Sequence, residues 1–268
     1  MGAPAKLARN LYRPRYMKAP IPFFVEQKDF PKVMRDRLEA RAEYPLFKSQ
    51  SRLLCQGPLA WSDGREPRPR RLRLGIIGTR KPSSYGLYFV AELLRAAKNL
   101  PLTIVSGGAL GIDGEAHARA LLHGLPTEAW VVGPIAKPNP AYHERLFYKM
   151  LQTPESGLVV PEFLEPQLNG RNPLRADWLT RNQWLSMSLD ALLVVEAGIH
   201  SGTWNKVKFS QSLGIPIWAL PGEIFQSESS GTNLMITMGY AHPVESVGFL
   251  LKAFVALACA NSYNRERG

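Results

Sequence analysis

Cysteine is nearly absent. Cys55 and Cys259 are the two in the chain, too few for a disulfide framework or a thiolate metal pattern, and this fits a reducing compartment. No apolar run approaches the roughly 18 residues that a membrane-spanning helix needs. The first 25 residues hold five lysines or arginines and no acid, yet they lack the apolar segment of a secretory signal. Lys6 stands where a myristoylation motif wants Ser or Thr. Two nucleotide signatures are missing as well: there is no G-x-x-x-x-G-K-[ST] and no G-x-G-x-x-G. Internal repeats and low-complexity tracts are also lacking. These absences argue against a secreted disulfide scaffold, a membrane channel, and ordinary ATP or dinucleotide binding.

What the sequence does contain is positive charge, unevenly placed. The formal net charge is +11 over 268 residues, with a sequence pI near 9.8. Before residue 74 there are 17 Lys and Arg against 7 Asp and Glu; from there on, 16 against 15. A nearly neutral fold with a basic leading segment points to a polyanionic partner. The 45% hydrophobic content is that of a globular protein with a proper core.

Residues 1–28, basic and proline-bearing without periodicity, read as an extended arm. Residues 29–73 read as a lead-in with a helix near 31–42 and a strand near 52–56, followed by an arginine-dense connector, Ser62 to Arg73. From Leu74 to the end, strands and helices alternate. Strands are expected near 74–78, 102–106, 129–133, 157–160, 191–196 and 216–220. Helices are expected near 84–98, 113–123, 141–152, 179–188, 203–213 and 245–258. Unbroken apolar strands such as Ala191-Leu192-Leu193-Val194-Val195 require a sheet covered on both faces. The fold class is therefore α/β, a Rossmann-like, doubly wound, mainly parallel sheet with a small N-terminal extension. Leu164 to Asp177 is the longest expected core loop.

Two strand ends carry the chemistry. Leu74-Gly75-Ile76-Ile77 runs into Gly78-Thr79-Arg80, with Ser83-Ser84-Tyr85-Gly86 opening the next helix. Leu102-Thr103-Ile104-Val105 runs into Ser106-Gly107-Gly108-Ala109-Leu110-Gly111-Ile112-Asp113. In a parallel sheet both turns lie at the carboxyl edge, where ligands bind. Glycines let the backbone approach an anion, and a helix start offers free N–H groups. Arg80 adds a permanent forked cation. The residues point to phosphate binding, with the Gly107–Gly111 amides and the Ser106 hydroxyl assisting. Asp113 reads as a cap or loop-orienting group, and His117 as a structural histidine.

These turns, with Trp178-x-x-Arg181-Asn182, Val194-Val195-Glu196-Ala197, Ser201-Gly202-Thr203, Pro221-Gly222 and Gly231-Thr232-Asn233, closely resemble the DNA-processing protein A family (DprA, also called Smf). The resemblance covers roughly residues 30–240. It implies an extended Rossmann fold and a cytoplasmic, homodimeric, non-catalytic protein without a cofactor. Its ligand would be single-stranded DNA, protected and handed to a RecA-type recombinase in natural transformation. It further implies DNA contact by Arg80, Arg181 and Asn182 at one edge, with Ser201 and Gly202 at a further helix start. Candidates for base stacking are Tyr85, Trp178 and Trp204; Asn233 to Met238 is a candidate dimer contact.

The chain also departs from that family. Gln183 follows Asn182 where a second arginine is usual, and Lys206-Val207 replaces Thr-Ala, so that Lys206 and Lys208 could restore charge. Between strands, Gly133 to Pro140 replaces a glycine-rich stretch, and its Lys137 is a further phosphate candidate. The winged-helix domain carried by many relatives is not expected here. Two other readings remain open. One is a Rossmann-fold nucleoside-monophosphate phosphoribohydrolase of the lysine-decarboxylase-like family, although Pro221-Gly222-Glu223 is the nearest fragment to its Pro-Gly-Gly-x-Gly-Thr-x-x-Glu motif. The other is a small-nucleotide sensor.

Overall fold

The computed structural model describes residues 23–39, 52–59, 71–135, 138–161 and 173–263. Nine strands form one sheet: β1 (Phe23–Glu26), β2 (Arg52–Gln56), β3 (Leu72–Ile77), β4 (Leu102–Ser106), β5 (Thr127–Trp130), β6 (Gly157–Pro161), β7 (Ala191–Val194), β8 (Ile217–Ala219) and β9 (His242–Pro243). Their spatial order is β1-β2-β6-β5-β4-β3-β7-β8-β9. From β6 to β9 every pairing is parallel, while β2 is antiparallel to both neighbours. The long helices are α1 (Lys32–Glu39), α2 (Ser84–Ala97), α3 (Ile112–Leu122), α4 (Glu144–Gln152), α5 (Arg175–Met187), α6 (Thr203–Ser212), α7 (Ser227–Thr237) and α8 (Val247–Tyr263). No helix among the described residues is long and apolar enough to cross a membrane.

Alternate side chains of the strands feed opposite faces, as a two-residue period requires. Leu72, Leu74 and Ile76 pack with Ile104, Leu193 and the apolar sides of α2, α3 and α8. Ile77, Val105, Leu192 and Val194 face the other way, onto Met34 and Leu38 of α1, Trp184 of α5, Val207 of α6 and Met235 of α7. A third cluster joins Ala129, Val131 and Val160 to Phe147 and Met150 of α4. The expected doubly wound α/β sheet is what the chain forms.

Two parts of the sequence reading change. Phe23–Glu26, inside the stretch read as an arm, is the outermost strand, with Phe24 opposite Leu54 and Val25 opposite Leu53. Residues before it lie outside the described ones. The arginines at the end of the expected connector are folded into the structure. Arg73 is buried, and its guanidinium grips Glu128 through two bonds of 2.7 and 2.6 Å. Arg71 pairs with Glu155 at 2.7 Å. The lead-in helix is likewise tied to the body: Arg37 donates to the carbonyls of Met187, the last residue of α5, and of Leu189 just after it, where a helix presents unsatisfied acceptors. Lys137, and residues 162–172 of the expected long loop, lie outside the described residues, while Arg175–Asp177 begin α5.

Candidate nucleic-acid interface

A groove of about 1120 Å³ opens at the carboxyl edge of the parallel strands. Of the residues singled out from sequence, Gly78, Thr79, Arg80, Ala109, Arg181, Asn182, Ser201, Gly202 and Lys206 line it. They come from the ends of β3, β4 and β7 and from α5 and α6. Because β3 lies between β4 and β7, these turns sit where the strand order changes direction, the usual ligand crevice of such sheets.

The two glycine turns are pressed together. Ile112 N donates to Thr79 O at 3.2 Å. Gly111 has φ +79°, and a Cβ there would meet Thr79 O at 2.3 Å and the Arg80 backbone at 2.8 Å. Glycine is needed both for that dihedral and for that approach. The contact fixes where the chain leaves β3, and hence where Arg80 stands. Arg80 itself is exposed and lines the groove, making no ion pair among the described residues.

Below it lies a buried charged floor. Arg181 is 3% exposed; its Nη1 donates to Gly107 O at 2.6 Å and to Trp130 O. Its guanidinium carbon lies 5.3 Å from the Trp178 ring centroid, a cation–π arrangement. Burial lowers its pKa to about 10, with Asp113 opposing and Arg80 adding to the shift, so it remains a cation at neutral pH. Lys206 is also buried. Its pKa is lowered by burial first, against the pull of Asp113 and with the repulsion of Arg181 and Arg80. Asp113 is the acid between these cations. Its Oδ2 also accepts from the Ala109 amide at 3.4 Å, the loop-orienting contact anticipated for it. A Cβ on Gly107 would strike Arg181 Nη1 at 2.5 Å and Asp113 Oδ2 at 2.9 Å, so that glycine makes room for the floor.

Other sequence candidates are placed elsewhere. Ser83 caps α2 by accepting from Gly86 N at 3.2 Å, and its hydroxyl and amide both donate to the buried carboxylate of Glu196. Ser106 is buried and donates to Ile76 O at 2.6 Å, joining β4 to β3. Gly107 and Gly108 are buried, and their carbonyls accept from Arg181 and His143. Leu110 and Gly111 form the turn but do not line the groove. Ser201, which lines the groove, also accepts from Thr203 N at 3.2 Å, one residue ahead of the α6 N-cap Gly202. His117 is buried against Thr127 Oγ1 at 2.7 Å.

Sequence reasoning passed over Lys81 and Arg175, which line the groove beside Arg80 and at the start of α5, and Ser227, Glu228 and Ser230 of α7. Lys81 directly follows Arg80; Arg175 falls within the expected loop from Leu164 to Asp177 but opens α5. Among the stacking candidates, Trp178 lines the groove, Tyr85 donates its hydroxyl to Pro221 O, and Trp204 packs edge-on against Tyr240. Pro221-Gly222 and Gly231-Thr232-Asn233 are one structural unit, since Asn233 makes paired bonds of 3.1 and 3.0 Å with the backbone of Gly222.

The profile of one family, described as DNA recombination-mediator protein A, matches residues 28–255. The chain belongs to that family. A Mycobacterium tuberculosis protein named as a DNA processing protein DprA is 34% identical over 164 residues, 61% of this chain and 40% of its own length. The Smf protein of Escherichia coli is 31% identical, over 62% of this chain and 43% of that one. The chain thus matches about two fifths of the length of these relatives. Two solved structures share the DNA recombination-mediator protein A fold seen here. DNA processing protein A from Helicobacter pylori, described for its single-stranded DNA binding mode, has a TM-score of 0.70 at 21% identity and covers 88% of this chain and 97% of its own. The Streptococcus pneumoniae DprA structure has a TM-score of 0.68 at 23% identity, covering 92% and 77%.

Proposed function

We propose that this family member binds single-stranded DNA in the groove by its phosphates, without catalysis, as a cytoplasmic homodimer that shields the strand and passes it to a RecA-type recombinase during transformation or recombination. One observation carries the reading. Five cations line the groove, Arg80, Lys81, Arg175, Arg181 and Lys206, against two acids, Asp113 and Glu228. Arg80, Lys81 and Arg175 have no ionic partner among the described residues, so the groove holds an unbalanced positive field that a polyanion would neutralise. The two groove carboxylates each accept a local hydrogen bond, Asp113 from the Ala109 amide and Glu228 from the Ser227 hydroxyl at 2.8 Å, which fits the orienting role this non-catalytic reading gives them. Cations and amides read backbone rather than base edges, so little sequence preference is expected.

Titration with single strands, duplex of equal length and nucleoside monophosphates at several salt concentrations tests this. Single strands should bind best, with log affinity falling by about 0.7 per neutralised phosphate for each log unit of salt. Tight binding of a mononucleotide, or release of its base, would replace this reading with the small-nucleotide or phosphoribohydrolase one.

A further inference from the structure

The loop between β8 and α7 presents the most exposed large hydrophobic side chain among the described residues, Phe225. Phe225 is 93% exposed and Ile224 beside it 78%. Such exposure is ordinary on a floppy loop, but this loop is pinned. Gly222 is held by the side chain of Asn233 and Pro221 O by the Tyr85 hydroxyl at 3.1 Å. Gln226 N closes the turn on Glu223 O at 3.2 Å. Phe225 therefore stands out from a fixed support and packs on nothing. The loop follows β8, so it belongs to the same carboxyl edge as Arg80, and Ser227, two residues on, already lines the groove.

We infer that Phe225 is a stacking platform for a nucleobase at the α7 end of the groove. This rests on the proposed single-strand reading and adds a second aromatic surface for bases beside that of Trp178, which lines the groove itself. The local charge favours a base over a phosphate there. Glu223 and Glu228 bracket Phe225 in the chain and disfavour a phosphate at that end, whereas Arg80, Lys81 and Arg175 attract the backbone to the groove. A strand whose phosphates lie on those cations meets Phe225 with its bases. An aromatic face accepts any base, so the contact adds affinity without sequence preference, and little ordering entropy is lost because the loop is already fixed.

The test is a titration of wild type, Phe225→Ala, Phe225→Trp and Tyr88→Ala with an oligothymidylate and with an abasic strand of the same phosphate count. Tyr88, on α2, is another open aromatic, 67% exposed, on an element other than the β8–α7 loop. Phe225→Ala should weaken oligothymidylate binding about fivefold or more, the loss of one stacked base. It should leave the abasic strand and the salt slope unchanged; Phe225→Trp should restore binding and Tyr88→Ala should match wild type. Equal oligothymidylate affinity for Phe225→Ala and wild type overturns the inference, as does an equal loss with the abasic strand. If wild type binds neither strand, the single-strand reading itself falls, and this inference falls with it.

Discussion

Arg80 and Arg95 carry the same charge in unlike settings, and comparing them isolates the groove. Arg95 sits on the outer surface of α2, bonded to Glu92 at 2.7 Å, whereas Arg80 lines the groove without an ionic partner. Arg80→Ala should lower single-strand affinity about tenfold, the worth of one charge-assisted contact, and reduce the salt slope by about 0.7. Arg95→Ala should change neither, as fluorescence anisotropy at three salt concentrations would show. His117 makes a different prediction. The Thr127 hydroxyl donates to Ile104 O at 3.0 Å, so it accepts from His117 Nδ1–H, leaving the buried Nε2 bare. A proton there would be a buried charge without an acceptor. Burial lowers the pKa to about 4, with Asp113 opposing and His143 adding to the shift. The folded value is depressed, so the unfolded chain binds the proton more readily. The associated stability is complete above about pH 6.5 and is lost as pH falls towards 4, about 3 kcal/mol in all. Urea unfolding of His117→Gln between pH 4 and 7 should show a shallower pH dependence than wild type.

At the scale of single elements, the turn after β4 serves mainly to position the turn after β3. Gly111→Ala should force Thr79 and Arg80 aside, lowering both stability and DNA affinity. Gly124→Ala supplies the comparison: its φ is also positive, +71°, but a Cβ there meets nothing within 4 Å. It should cost about 1 kcal/mol of backbone strain in urea unfolding and leave affinity intact. The elements most legible in the sequence are those whose stabilising pattern is local. The apolar runs of β3, β4 and β7 and the N-cap at Ser83 announce themselves. Helix α7 does not: Ser-Glu-Ser-Ser-Gly-Thr-Asn has poor helix propensity and no apolar stripe, and is held by burial of Ser229, Thr232 and Met235 and by Gly231 N on Ala197 O at 2.7 Å. Nor does β1, four residues whose partner lies nearly thirty positions away. Arg73 falls in an expected connector because nothing local reveals Glu128, 55 residues on. The site was legible as motifs, but which hydroxyls were free was not. Nothing local to Ser83 reveals Glu196, the carboxylate 113 residues away to which its hydroxyl donates.

For the whole molecule, the charge asymmetry of the sequence divides into structural and available cations. Arg71 and Arg73 belong to the fold, so the surplus that can act at a distance lies earlier in the chain. Removing residues 1–22, with five cations and no acid, should slow association in stopped-flow mixing without altering the preference for single strands. Removing six residues more would strip β1 from β2 and lower thermal stability as well, an effect that scanning calorimetry separates from the kinetic one. The position of β3 between β4 and β7 has its own consequence. The groove takes β4's turn from one wing of the sheet and α6 from the other, so an occupant becomes a tie across the seam between the wings. The tie raises the melting temperature with ligand concentration by mass action. It should also slow amide exchange most where α5 and α6 face each other across that seam, leaving the outer strands β1 and β9 to open as freely as before.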